Sequence, residues 1–211
     1  MLSRIADSLY WMNRYMERAD GLLRVLYIHY GLSLDRDGSR ITTWKPVLEI
    51  FSAGDNNYLG VDETNTALVL EHLLINTENS NSLKILLGKA RENARGVQDH
   101  ITKEVWEQVN AIYHVINQPW LSAKLYSYQS QEVIEQLQRH CVLYTGTTDI
   151  TMSRGTGWQF MNMGKFIERC IHTIVLAEKQ LYATNEETAE QLNDILHWRY
   201  LLLCLSGYQL H

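Results

Sequence analysis

Apolar residues recur at alternating steps of four and three along the first thirty positions. Ile5, Leu9, Met12, Met16, Ala19, Leu23 and Leu26 keep that rhythm, which puts them on one face of a continuous helix. Such a helix is on the order of 40 Å long, enough to serve as the axis of a bundle. Ser3 is placed to cap its start, its hydroxyl accepting an orphan amide of the first turn. Tyr10, Arg14 and Glu17 project roughly opposite the seam, and Arg4, Trp11 and Arg18 flank it. An apolar seam with Trp and Arg on a second face predicts a helix covered on two sides.

The same pattern returns later. The stretch SRIADSLYWMNRYMERADGLLRVL is echoed by SRGTGWQFMNMGKFIERCIHTIVL. Leu9, Met12, Met16, Ala19 and Leu23 pair with Phe160, Met163, Ile167, Cys170 and Ile174, which predicts a second buried seam. Arg14, Glu17 and Arg18 pair with Lys165, Glu168 and Arg169. Each Glu falls one residue after a seam position, about 100° round its helix. Two helices, about 3–31 and 156–183, are thus expected to form a pseudo-repeated pair.

Between them the apolar rhythm predicts shorter helices. A polar connection at Ser33–Ser39 leads to a helix capped at Thr42 or Thr43, with Pro46 in its first turn and Val47, Leu48, Ile50 and Phe51 buried. Gly54–Asn57 ends it. A helix from Asp62 or Thr64 to Ile75 follows, then one from Ser82 to His100 carrying Arg91, Glu92 and Arg95 on its polar face. Thr102 caps a helix from Lys103 to Ile116 with a seam of Trp106, Val109, Tyr113 and Ile116. Trp120–Ser130 reads as irregular. Ile134, Leu137, Cys141, Tyr144 and Thr148 give a further seam. Capping-box spacing at Thr156–Gln159 opens the second long helix, and Thr184–Glu187 opens the last. No alternating run is long enough for a sheet, so the fold class is all-α, a multi-helix bundle.

The 211 residues suit one domain. Net charge is -5 without a basic run, which argues against nucleic acid, whose phosphates need a positive stripe. The longest apolar run, near Leu201–Leu205, is too short to span a bilayer. Charges at Arg4, Asp7, Arg14 and Glu17 break up any signal peptide. Cys141, Cys170 and Cys204 are odd in number and lack CxxC spacing. Two lie on seams, so reduced, buried thiols and a cytoplasmic location are expected.

MLSRIADSLYWMNRYMERAD, the middle stretch NSNSLKILLGKARENARGVQDHITKEVWEQVN and SRGTGWQFMNMGKFIERC together resemble the alpha-E family of all-helical bacterial proteins. The resemblance implies one helical domain over residues 1–211, association with ATP-grasp and transglutaminase-like proteins, and a role in making or modifying peptide-type amide bonds. The family continues past the point where this sequence ends at SGYQLH, so the resemblance also implies a domain truncated at its C-terminus.

No phosphate loop and no nucleophile elbow occurs. A ferritin-like di-metal site needs Glu-x-x-His on two helices. Here Glu168 and His172 are four apart, and Ala19-Asp20-Gly21 offers no His. No metal or cofactor is therefore expected. What remains is a constellation of Arg4, Tyr10, Arg14, Glu17, Arg18, Arg91, Glu92, Arg95, Lys165, Glu168 and Arg169. Internal charges must pair, so one reading is a network that fixes helix register. The other is a polar pocket between the two motif helices and the Arg91–Arg95 helix. There, arginines would hold a carboxylate or phosphate and glutamates an amine. Taken with what the resemblance implies, the expected role is an accessory binding module of an ATP-grasp-linked amide-bond system. The alternatives are an acyl- or aminoacyl-transfer enzyme with Glu17 or Glu168 as base, or an oligomerising scaffold.

Overall fold

The computed structural model describes residues 1–34, 43–52, 58–186, 191–207 and 209. These residues form nine α-helices and no strand: α1 (Ser3–Leu34), α2 (Lys45–Phe51), α3 (Thr66–Leu74), α4 (Leu83–Gly96), α5 (Lys103–Ile116), α6 (Trp120–Leu125), α7 (Ser130–Thr151), α8 (Thr156–Glu186) and α9 (Gln191–Cys204). The all-α expectation is met.

The first helix is the axis. Its seam residues Leu9, Met12, Met16, Ala19, Leu23 and Leu26 are at most 3% exposed, because α4 and α7 pack along that side while α8 lies along another. Further on, Leu22, Val25 and His29 are buried too. There Trp44, at the head of α2, stacks 4.4 Å from His29, and its indole N–H donates to Thr66 Oγ1. α5 packs against both α4 and α7. The seam read for α7 is buried throughout, from Ile134 to Thr148.

The cap expected at Thr102 is observed, whereas α1 and α8 begin at Ser3 and Thr156 themselves. Thr102 Oγ1 accepts the Val105 amide and starts α5 at Lys103. Asn65 Oδ1 accepts from Ala67 and Leu68 and starts α3 at Thr66. Asp62 closes its own turn by accepting the Thr64 amide, so the helix begins later than Asp62 or Thr64. α4 ends at Gly96, and Gln98–His100 form a 3-10 turn. The stretch read as irregular contains α6, whose Leu121 and Leu125, one turn apart, are buried. Thr42, Gly54–Asn57 and Glu187 lie outside the described residues, as does 35–39 of the first connection.

A larger expectation is also overturned. The apolar positions of α8 that echo the α1 seam do not face the core. Met163 is 45% exposed, Ile167 39% and Ile174 64%, and Cys170 is exposed rather than buried. The residues turned to α1 are Gly157, Met161, Gly164, Glu168 and His172. Leu9 meets Gly157, Tyr10 meets Gly164, Arg14 meets Glu168 and Gly21 meets His172, so the two helices run parallel and α8 turns its glycines and Glu168 to α1. With that face against α1, the apolar face of α8, roughly a third of a turn round the helix, points outward.

Candidate functional site

The parallel register brings the two Glu-Arg dipeptides level, and each Glu takes the other helix's Arg. Arg169 donates from Nε to Glu17 Oε1 at 2.6 Å and from Nη2 to Oε2 at 3.2 Å. Arg18 donates from Nε to Glu168 Oε1 at 2.6 Å and from Nη2 to Oε2 at 3.2 Å. Both pairs are bidentate, the strongest geometry open to a guanidinium and a carboxylate. Chain reversal between the two helices would separate them, so the exchange reads out register as well as proximity.

The pairs are not equal. Glu168 is 4% exposed and holds a second guanidinium, Arg14, through Nε at 2.7 Å and Nη2 at 2.6 Å. Arg14 in turn lies 4.9 Å from the Trp11 ring and donates to Tyr10 Oη. Arg18 also donates to Asn81 Oδ1 just ahead of α4, at 3.0 Å. Burial alone would raise the Glu168 pKa, but the hydrogen bonds and charges of Arg18 and Arg14 outweigh it and hold the carboxyl below its ordinary value. Glu168 likewise raises Arg14 above the ordinary guanidinium value against the opposing effect of burial. Glu17, by contrast, raises the half-open Arg169 chiefly through its hydrogen bond.

Of the other expected site residues, Tyr10 joins this cluster through Arg14. Arg91 does not. It points to α5, donating to Asn110 Oδ1 at 2.7 Å and lying 4.7 Å from the Tyr113 ring. Glu92 and Arg95 form an exposed local pair at 2.7 Å. Arg4 is exposed at the start of α1, and Lys165 sits beside Phe166 on α8. The constellation splits into a Glu-Arg seam between α1 and α8 and a separate α4–α5 cluster.

Sequence reasoning missed three contributors. Tyr144 of α7 donates to Asn13, both buried, one turn from Glu17. Asn81 is the second. The third is His172, whose ring packs against Gly21 and 5.3 Å from Phe51. Burial, then the Arg24 charge, depress its pKa to about 4. The folded form therefore refuses a proton that the unfolded chain accepts below its ordinary value of 6.5. Stability is expected to fall as pH drops from 6.5 toward 4, the range between the two values. His172→Gln should flatten that limb in urea midpoints measured across pH, and an unchanged slope would remove His172 from the account.

An open cavity of about 390 Å³ lies elsewhere, lined by Leu68, Glu71, His72, Ile75 and Asn76 among others. His72 next to Ser52 suggests a nucleophile and its base, but the hydrogen bonds run the wrong way. Asn76 Oδ1 accepts the Glu78 amide, so Asn76 Nδ2 donates to His72 Nδ1. The ring proton then sits on Nε2 and points at Ser52 Oγ, 3.1 Å away. A hydroxyl that accepts from the imidazole is not activated by it. Among the described residues no group of three His, Cys, Asp or Glu side chains is placed to hold a metal ion. No helix there is long and apolar enough to cross a membrane.

Fold and seam define an all-helical domain built on two parallel helices that exchange Glu-Arg pairs. The chain belongs to the Alpha-E family, described as a predicted alpha-helical domain with a conserved ER motif, and the match covers residues 1–211. It is similar to an uncharacterized protein of Mycobacterium bovis, 24% identical over 206 residues, and to one of Mycobacterium tuberculosis at the same identity. Each alignment covers 89% of this chain and 23% of the relative, so the chain spans about a quarter of those proteins' length. No solved structure matches it. The described Glu-Arg dipeptides of α1 and α8 both carry the ER sequence of the family description, at Glu17-Arg18 and Glu168-Arg169.

Proposed function

We propose that the domain is a non-catalytic helical binding module of a bacterial ATP-grasp-linked system that makes or modifies peptide-type amide bonds. One observation carries the non-catalytic part: both candidate bases are already bidentate partners of arginines. A general base needs a free lone pair aimed at substrate and a pKa near the working pH. Glu168 has neither, since two guanidiniums occupy it and hold its pKa down. What the seam does supply is a rigid pair of helices with fixed register, a platform for a partner protein or a carboxylate-bearing ligand. The length of the mycobacterial relatives, in which the matched part is a minor share, supports a module acting beside other polypeptide.

Co-expression with an ATP-grasp ligase of the kind the resemblance implies tests the reading. The two are expected to co-elute, with the ligase's amide-bond formation dependent on the domain and no turnover by the domain alone. Glu17→Gln is expected to leave that activity in place, because the folded platform survives its loss. A ligase that ignores the domain, or an activity abolished by Glu17→Gln in a folded protein, would overturn the proposal.

A further inference from the structure

The outward face of α8 carries Met163, Phe166, Ile167, Cys170, Ile171 and Ile174, all exposed. Exposed apolar residues scattered singly need no explanation, but a contiguous stripe marks an interaction surface. Glu168 and Arg169 bind α1, and the charges that border the stripe are Lys165 and Arg169, 5.8 and 6.0 Å from the Phe166 ring at its edge. The stripe is also the counterpart, by the sequence echo, of the α1 seam that is buried in the core.

The order of the stripe says what fits it. Its main ridge runs Met163, Ile167, Cys170, Ile174 in steps of four, three and four, a spacing that reads the same in both directions. Set antiparallel to itself across a two-fold, Met163 meets Ile174 of the other copy and Ile167 meets Cys170. Phe166 and Ile171 lie on opposite flanks of that ridge, so each comes beside the same residue of the other copy. Every apolar residue finds an apolar partner, as an isologous contact requires. Five half-open large side chains bring on the order of 400 Å² of apolar core per copy, and with a polar rim that approaches the ~800 Å² per partner of a stable complex.

We infer that the chain forms an antiparallel two-fold dimer through the outward face of α8. The result is a four-helix layer, α1–α8 against α8–α1, in which each outer seam is filled by the other copy. This goes beyond the binding role proposed above and does not depend on it.

Sedimentation equilibrium at micromolar concentration is expected to give the mass of two chains. Ile167→Glu combined with Ile174→Glu should give one chain with the wild-type helix content by circular dichroism, an association weakened at least about 100-fold. Cross-linking reads the direction. In a Cys170→Ser background, Met163→Cys alone and Ile174→Cys alone should not form covalent dimers on oxidation, while a mixture of the two should. A wild-type chain that is monomeric, its face then belonging to another polypeptide, overturns the inference. So does a dimer indifferent to the glutamates, or a single-cysteine variant that cross-links to itself, which indicates parallel helices.

Discussion

Glu168→Ala is expected to lower stability by about 2–4 kcal/mol, the largest loss from any single carboxylate here. The argument is one of counting charges. Glu168 is the sole anion shown between Arg14 and Arg18, whose side chains are 14% and 27% exposed. Removing it leaves two guanidiniums facing each other with little water. Removing either arginine leaves the other still paired, so Arg14→Ala and Arg18→Ala should each cost less than Glu168→Ala. Glu17→Ala frees only Arg169, which is 47% exposed and reaches solvent, so its cost should stay near 1 kcal/mol or below. Urea denaturation of the four variants at neutral pH checks this order. The acid limb gives a second readout. Because the folded-state pKa of Glu168 is depressed, its contribution is complete above the ordinary Glu value and is lost as pH falls through the depressed one. Glu168→Gln should remove that part of the acid dependence, leaving the limb due to His172.

Most of the bundle was legible because its helices obey simple rules. The α1 seam, the α7 seam and the Thr102 cap are where the 3–4 rhythm and the capping preference put them. The Glu-Arg echo was legible too, and the structure sets its two dipeptides level on α1 and α8. The failure on α8 is instructive because the echo itself was sound. Apolar periodicity finds the face with most hydrophobic surface, and on α8 that face is outside. The inward face is marked by Gly157, Met161, Gly164, Glu168 and His172, a stripe of small and polar residues at steps of four, three, four and four. Small residues on a helix signal close backbone approach, which a count of hydrophobic positions cannot register. Two like seams share one core only when both face the contact between the helices, and here the contact is made by the glycine and Glu168 face instead. The split between the Glu-Arg seam and Arg91 was not legible, since α4 residues 91 and 92 differ in direction by only about 100° and nothing in the chain says which turn meets α5.

Gly164→Ala is expected to destabilise the domain by about 2–3 kcal/mol even though Ala is the better helix former by roughly 1 kcal/mol. A Cβ at Gly164 would stand 3.1 Å from the Tyr10 carbonyl carbon, closer still to its oxygen, and 3.3 Å from Arg14 Cγ. The obstacle is backbone, which no rotamer change relieves, so α8 must move off α1. Gly21 faces a softer obstacle, the His172 ring at 2.8 Å, and Gly21→Ala should cost less if that ring can rotate away. Gly88 and Gly146, with nothing near a added Cβ, supply the control: Ala at either should be neutral or stabilising by up to about 1 kcal/mol. Thermal melts by circular dichroism separate the two classes. The tight crossing lies one turn ahead of the Glu-Arg exchange, so displacing α8 at Gly164 also stretches the bonds from Arg14 and Arg18 to Glu168. The two effects therefore share a cause. Gly164→Ala combined with Glu168→Ala should cost clearly less than the sum of the single losses. Strict additivity would mean that the glycine contact and the charge exchange hold the helices independently.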